Sequence, residues 1–158
     1  MLSKKEKIRR AIMLMIPICV VALVDAVAKS IAIERLPEQG SRLNFLIDFA
    51  LHKNPGIAFN IPIPLTIVVA VSLIITAVLG YYSIRSFEQF PLRSFFAWTV
   101  IVGALGNMTD RIINGFTTDY IILFRMSAIN LSDILILAGV ILLFVYNDNR
   151  ASRTDTGK

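Results

Sequence analysis

The stretch Gly103-Ala104-Leu105-Gly106-Asn107-Met108-Thr109-Asp110-Arg111 decides the fold of this 158-residue chain. It continues an apolar run of the kind that enters lipid, yet it ends in an amide, a carboxylate and a guanidinium. Asn107, Asp110 and Arg111 stand at i, i+3 and i+4, so a helix would place all three on one face. Polar groups in a membrane span are costly and usually face a protein interior, so the cluster indicates a functional site.

The composition indicates an integral membrane protein. Hydrophobic residues make up 56% of the chain, charged residues 17%, and the mean hydropathy is +0.70, beyond what a soluble domain of this size usually carries. The net charge of +5 comes largely from a basic head (residues 1–10) and a polar tail (residues 147–158). We expect the tail to be disordered. That placement favours cytoplasmic flanks beside anionic lipid over a nucleic-acid partner.

Four apolar runs are long enough to cross a membrane, which takes about 20 residues each. We predict an all-α membrane protein with four transmembrane helices, forming one membrane-embedded domain over residues 1–158. The segments 32–63 and 114–129 read as loops, and the first contains a small extracytoplasmic β or loop element at Arg42–Leu51 between helices 1 and 2. The predicted spans are Ala11–Ile31, Leu65–Ser83, Phe95–Ile113 and Asn130–Tyr146.

The distribution of Lys and Arg places both termini in the cytoplasm, because the head, the 84–94 loop and the tail are enriched in them. In this topology the polar residues of four separate segments reach one depth, at the extracytoplasmic rim. They are Asp25, Asn54, Asn107, Asp110, Arg111, Asp119 and Asp133. The head followed by Ala26-Val27-Ala28 also resembles a cleavable signal peptide, but Asp25 just before the cleavage site disfavours that interpretation.

Two polar pairs have both a structural and a functional interpretation. Asp25 and Lys29, at i and i+4, either form an ion pair that makes the span tolerable or order neighbouring site residues. Asp133, which follows Asn130 and Ser132, either is the N-cap of the fourth helix or belongs with Asn130 to the site. Similarly, the segment from Asn54 through Gly56 reads as a turn, or as a device that places an amide and free backbone groups beside an extended substrate.

Asp119 and Asp133 are the best candidates for chemistry. Two close carboxylates share a proton, so one can deprotonate water while the other protonates a leaving group. Such a pair titrates as a unit, and the sequence does not assign base or acid to either residue. The only cysteine, Cys19, excludes an intramolecular disulfide, and a single histidine, His52, gives little basis for a metal site. No metal and no cofactor are expected.

A second functional class is a small four-span transporter or channel that uses Asp25, Lys29 and Asp110 as an ion path. Such a protein should distribute charges through the membrane depth or contain an internal repeat. The sequence shows neither feature, since its charges gather at one rim.

The chain resembles the lipoprotein signal peptidases, or signal peptidase II, which are bacterial intramembrane aspartic peptidases. The resemblance extends from Asp25 to about Ile136, with five motifs in the family's order. The motifs are Asp25 with Lys29 (D-x-x-x-K); Asn54, Gly56, Ala58 and Phe59 (N-x-G-x-A-F); Gly103 through Arg111 (G-A-x-G-N-x-x-D-R); Asp119 after Gly115; and Asn130 with Asp133 (N-x-x-D).

The resemblance implies a peptidase of the bacterial cytoplasmic membrane that cleaves diacylglyceryl-modified prolipoproteins before the lipidated cysteine. Asp119 and Asp133 would be catalytic, Asn54, Asn107, Arg111 and Asn130 would position substrate and brace the pair, and Asp110 would orient Arg111. The chain departs from the family pattern at Val102, where glycine is frequent, at Asn60, where serine is usual, and at Ser132, where alanine is usual. The segment between the aspartates also looks shorter than in many members.

Overall fold

The structure, a computed structural model, describes residues 4–38, 46–56 and 63–146. Helices and strands follow one another in the order α1 (Lys4–Arg35), β1 (Ile47–Asn54), α2 (Leu65–Ser86), α3 (Pro91–Asn114), β2 (Thr117–Leu123), β3 (Ser127–Ile129) and α4 (Leu131–Val145). The predicted tail (residues 147–158), and Ala58, Phe59 and Asn60 of the second motif, lie outside the described residues.

Each predicted span lies almost wholly within one of the four helices. Within the described residues, two helices are both long and apolar enough to cross a membrane, over Arg9–Arg35 and Leu65–Ser86. The third helix carries the polar residues Asn107, Asp110 and Arg111, and α4 is apolar but only 15 residues long. Membrane crossing by α3 and α4 therefore stays a prediction.

A three-stranded antiparallel sheet joins the segments between the helices, in the order β1-β2-β3. The prediction of a loop at 114–129 was wrong, because this segment contains β2 and β3. The sequence Thr-Thr-Asp-Tyr-Ile-Ile-Leu of β2 is rich in β-branched and aromatic residues, which favour a strand. The predicted β element between helices 1 and 2 is thus one edge of a larger sheet, and Asp119 lies in the central strand rather than in a loop.

A tight turn connects β2 to β3. Phe124 and Arg125 both have positive φ, at 51° and 56°, and the backbone N–H of Met126 donates to the carbonyl of Leu123 at 2.9 Å. This is the geometry of a type I′ turn, which usually needs Asn or Gly at its two central positions. Two bulky residues occupy it here, so the hairpin carried no turn signal in the sequence.

Close packing of α3 against α4 depends on glycines. A Cβ added at Gly103 would lie 2.6 Å from the carbonyl oxygen of Ser132, and one at Gly139 would lie 2.6 Å from Val100 Cγ2 and 2.9 Å from the carbonyl oxygen of Phe96. Small residues let membrane helices approach closely when there is no hydrophobic force between them. This contact brings the polar end of α3 to the first turn of α4, where Asp133 lies.

We predict that Gly103→Ala destabilises the protein by about 1–3 kcal/mol, because its methyl group must displace backbone rather than a flexible side chain. The measurement is thermal unfolding in detergent. Gly80→Ala is the matched control, since the nearest atom to its added Cβ is Ile101 Cδ1 at 4.0 Å and alanine favours the helix. Equal midpoints for the two variants would show that α3 and α4 are not packed as described.

Candidate active site

The β1–β2 pair builds one wall of the site. His52 lies directly opposite Asp119, and Asn54 lies opposite Thr117. Because alternate residues of a strand share a face, these four side chains form a patch on one side of the sheet, and all four line the same cavity. A β-bulge between Phe49 and His52 shifts the register of β1 just before the patch begins.

Asp119 is 1% exposed and is held by two neutral amides. Asn130 Nδ2 donates to its Oδ1 at 2.7 Å, and Asn54 Nδ2 donates to its Oδ2 at 3.1 Å. Burial and the nearby carboxylate of Asp133 raise the pKa of Asp119 to about 6, against the lowering effect of the two amides. At neutral pH the carboxyl group of Asp119 is therefore protonated in a larger fraction of molecules than that of an ordinary aspartate.

Asp133 lies in the first turn of α4, where the helix supplies favourable partners for a negative charge. Its Oδ2 accepts from the backbone N–H of Asn130 at 3.2 Å, and its Oδ1 accepts from Asn107 Nδ2 at 2.7 Å. Its own backbone N–H donates to Asn130 Oδ1 at 2.9 Å. These reciprocal bonds form a capping box.

The N-cap of α4 is Asn130 and not Asp133, which lies at the third helical position. The amide oxygen of Asn130 caps α4, while its amide nitrogen reaches Asp119. One side chain, 0% exposed, thus fixes the position of the strand carboxyl group relative to the helix carboxyl group. The helix cap and the candidate site therefore share the side chain of Asn130.

Lys29 lies buried between α1 and α3. Its ammonium group donates to Asn107 Oδ1 at 2.8 Å and pairs with Asp25 Oδ2 at 3.0 Å and with Asp110 Oδ2 at 3.6 Å. The ion pair predicted from the Asp25–Lys29 spacing is therefore present. Because the amide oxygen of Asn107 faces the ammonium, its nitrogen must face Asp133.

Asp25 ties α1 to the start of α4 and to β2. Its Oδ1 accepts from the hydroxyl of Tyr120 at 2.9 Å and from the backbone N–H of Leu131 at 3.0 Å, and its Oδ2 accepts from Ser132 Oγ at 2.6 Å. Burial and the charge of Asp25 raise the pKa of Tyr120, so its hydroxyl stays protonated and acts as a donor. Ser132, at the position where the family usually has alanine, thus gains a buried partner.

Asp110 holds the start of β2. Its Oδ2 accepts from the backbone N–H of Thr118 at 2.6 Å, and its Oδ1 accepts from Asn114 Nδ2 at 2.6 Å. The carboxylate therefore joins the end of α3 to the start of β2. Arg111 donates through Nη2 to the carbonyl of Gly56 at 3.0 Å. That Asp110 orients Arg111 stays a prediction.

The cavity beside these groups has a volume of about 710 Å³. Its polar part is formed by the four-residue sheet patch with Arg111 and Asp133. Its apolar part follows β2, β3 and α4 through Ile122, Ala128, Ile129, Ile136, Leu137 and Val140. Such a cavity can hold a polar backbone and an apolar chain side by side. Among the described residues, no group of three or more His, Cys, Asp or Glu is placed to hold a metal ion.

The structure brings all ten predicted site residues into one connected region. It adds Tyr120 and Ser132, which hold Asp25, and Thr118, which holds Asp110. None of these carried a motif of its own. Thr118 and Tyr120 could have been noticed only if β2 had been recognised as a strand next to a catalytic candidate.

Comparison with known proteins shows the same family throughout. A family model for signal peptidase (SPase) II matches residues 17–147. The lipoprotein signal peptidase of Pelotomaculum thermopropionicum is 34% identical, over 82% of this chain and 88% of the relative. That of Thermodesulfovibrio yellowstonii is 29% identical, over 84% and 92%.

Two solved structures share the fold, each described as a bacterial membrane enzyme structure obtained by the in meso method. The 2.3 Å structure has a TM-score of 0.70, with 22% identity over 98% of this chain and 93% of that chain. The 1.9 Å structure also has a TM-score of 0.70, with 24% identity over 97% and 96%.

We predict that Lys29→Met destabilises the protein by about 3–5 kcal/mol, because it leaves the carboxylates of Asp25 and Asp110 buried without their shared cation. Thermal unfolding in detergent measures the effect. Lys53→Met is the control, since Lys53 forms an exposed pair with Glu38 at 2.8 Å, and surface pairs contribute little. A Lys29→Met variant as stable as the Lys53→Met variant contradicts the central role given to Lys29.

Proposed function

The chain belongs to the signal peptidase II family and removes signal peptides from prolipoproteins; we propose that it does so with Asp119 and Asp133 as a pair of carboxyl groups acting on water. The observation that carries this proposal is that Asn130 connects the two aspartates: its backbone N–H donates to the carboxyl group of Asp133, and its side-chain amide donates to the carboxyl group of Asp119. Paired carboxyl groups that share one proton can hydrolyse a peptide bond without a covalent intermediate.

The surroundings of the two carboxyl groups are unequal, and this supports a singly protonated, reactive form of the pair in which Asp133 is ionised and Asp119 holds the proton. Asp133 faces a helix N-terminus, a backbone N–H and an amide oriented by the Lys29 cation. The hydrogen bonds that the described residues donate to Asp119 come from two neutral amides, in a buried strand. In this state Asp133 accepts a proton from water, while Asp119 donates one to the amine that leaves.

Substrate positioning is proposed for the groups around the pair. Arg111 holds the carbonyl of Gly56, and the N–H of Gly56 donates to Asn54 Oδ1 at 3.1 Å. The amide nitrogen of Asn54 is thereby directed to Asp119. These contacts would fix the rim of the cavity against which a signal peptide lies, with Asn107 and Asn130 bracing the carboxyl groups from behind.

We also propose that all four helices cross the bilayer, as one peptidase domain with both termini in the cytoplasm and the site at the extracytoplasmic rim. The apolar cavity wall along α4 fits a diacylglyceryl group, and a lipidated cysteine would keep the scissile bond at the bilayer surface. The transport alternative has no support from the matched family. Its three residues, Asp25, Lys29 and Asp110, contact one another instead of marking a path through the membrane depth.

We predict that Asp119→Asn and Asp133→Asn each lower the cleavage rate by about 100- to 10,000-fold, because neither can pass on a proton. The assay follows removal of the signal peptide from a diacylglyceryl-modified prolipoprotein in liposomes. Asp48→Asn is the control, an identical change on β1 at a side chain that accepts from the neighbouring backbone N–H of Phe49 and does not line the cavity.

Both inactive variants should fold, since asparagine has the shape of aspartate and keeps one oxygen to accept from the neighbouring donors. An unlipidated precursor should be cut poorly by the unmodified protein. Retained activity in Asp119→Asn or Asp133→Asn disproves the catalytic assignment. Equal rates for lipidated and unlipidated precursor disprove the lipid-dependent part of the proposal.

A further inference from the structure

Thr117 has no role in the chemistry proposed above, yet it lies within the site. It precedes Asp119 by two residues on β2, so both side chains point to the same face of the sheet. It also lies directly opposite Asn54 in the β1–β2 ladder. All three residues line the cavity.

The hydroxyl group of Thr117 is buried and has no hydrogen-bond partner among the described residues. The residue is 2% exposed. Its neighbour Thr118 shows the ordinary situation, because its Oγ1 bonds to Asp110 at 3.1 Å. Leaving a buried hydroxyl group unpaired destabilises a protein, and such groups are rare in folded proteins unless a water or a ligand bonds to them.

A second unpaired polar atom belongs to the same cavity. Arg111 Nε is also buried without a partner within the described segments, although Nη2 of the same side chain is bonded to Gly56. Two unsatisfied groups around one cavity, beside the proposed catalytic pair, indicate a site that is complete only when a polar ligand is bound.

The spacing along β2 indicates what that ligand presents. Alternate residues of a strand are separated by about 7 Å, which is also the distance between backbone groups two residues apart in an extended peptide. A substrate extended along β2 with its scissile carbonyl at Asp119 would therefore bring another backbone amide to Thr117. Backbone recognition of this kind does not depend on the substrate's side chains, which suits an enzyme that processes many signal peptides.

We propose that Thr117 is a substrate-positioning residue whose hydroxyl group hydrogen-bonds a backbone amide of the signal peptide two residues from the scissile bond. This inference rests on the proposed function. It assigns to the threonine a contact with substrate backbone and no part in proton transfer.

The test compares Thr117→Val, which removes the hydroxyl group at constant shape, with Thr117→Ser, which keeps it. We expect kcat/KM for a lipidated prolipoprotein to fall about 10-fold in Thr117→Val, with no decrease in the thermal unfolding midpoint, and to recover in Thr117→Ser. Thr99→Val is the matched control, because Thr99 bonds only to the carbonyl of Phe95 in its own helix and does not line the cavity. Its kcat/KM should equal that of the unmodified protein.

A pair of lipopeptides identifies the contact, each with one backbone amide replaced by an ester two residues before or after the scissile bond. An ester lacks the N–H donor and is a weaker acceptor, so the loss caused by Thr117→Val should vanish for one of the two. The inference is overturned if Thr117→Val cleaves like the unmodified protein, if serine fails to restore activity, or if both esters leave the loss unchanged. If the unmodified protein cleaves no prolipoprotein, the proposed function fails as well, and that result is distinct from a failure of Thr117→Val alone.

Discussion

Asp119 is buried and Asp133 is half-buried, and the surrounding structure supplies hydrogen-bond donors to both carboxyl groups in fixed directions. Three asparagines do this in the same way. The amide oxygen of each is occupied by a donor, which is the N–H of Gly56 for Asn54, the ammonium of Lys29 for Asn107 and the N–H of Asp133 for Asn130. The amide nitrogen is therefore left for Asp119 or Asp133. An amide cannot rotate without breaking a buried bond, so the donors around the pair are organised before substrate arrives.

This arrangement explains why buried charges of no catalytic use are present. Lys29 orients Asn107 and offsets Asp25 and Asp110, and Asp25 in turn binds the first turn of α4 and Tyr120 of β2. A buried ion pair is weak evidence for stability in itself, because desolvation opposes the attraction. Here it joins α1, α3, α4 and the sheet at one place, so its main effect is to fix the geometry of the site.

Much of this could be predicted from the sequence, for identifiable reasons. Long apolar runs predict the helices from composition alone, and polar residues within such runs are easily identified. The pairing of Asp25 with Lys29 followed from helical spacing. A polar cap at the start of the fourth helix followed from the polar residues before an apolar run, although the cap is Asn130 where Asp133 was predicted. The sheet was harder, because β3 has only three residues and the β2–β3 turn uses Phe124 and Arg125 in place of glycine or asparagine. Asp119 was consequently assigned to a loop, and the strand neighbours Thr117, Thr118 and Tyr120 were missed. The side-chain direction of Asp110 could not be inferred either, since it depends on Thr118 across the connection from α3 to β2.

Sharing of a proton between Asp119 and Asp133 requires electrostatic coupling between their carboxyl groups. Carboxyl ¹³C NMR of aspartate-labelled protein in detergent micelles measures this coupling directly. The Asp119 resonance can be assigned by its loss in Asp119→Asn and then followed against pH. We expect a pKa of about 6 for Asp119 in the unmodified protein. In Asp133→Asn this pKa should be lower, because removal of the neighbouring negative charge favours ionisation while burial is unchanged. An Asp119 resonance that titrates at the same pH in both proteins would contradict a shared proton between the two carboxyl groups.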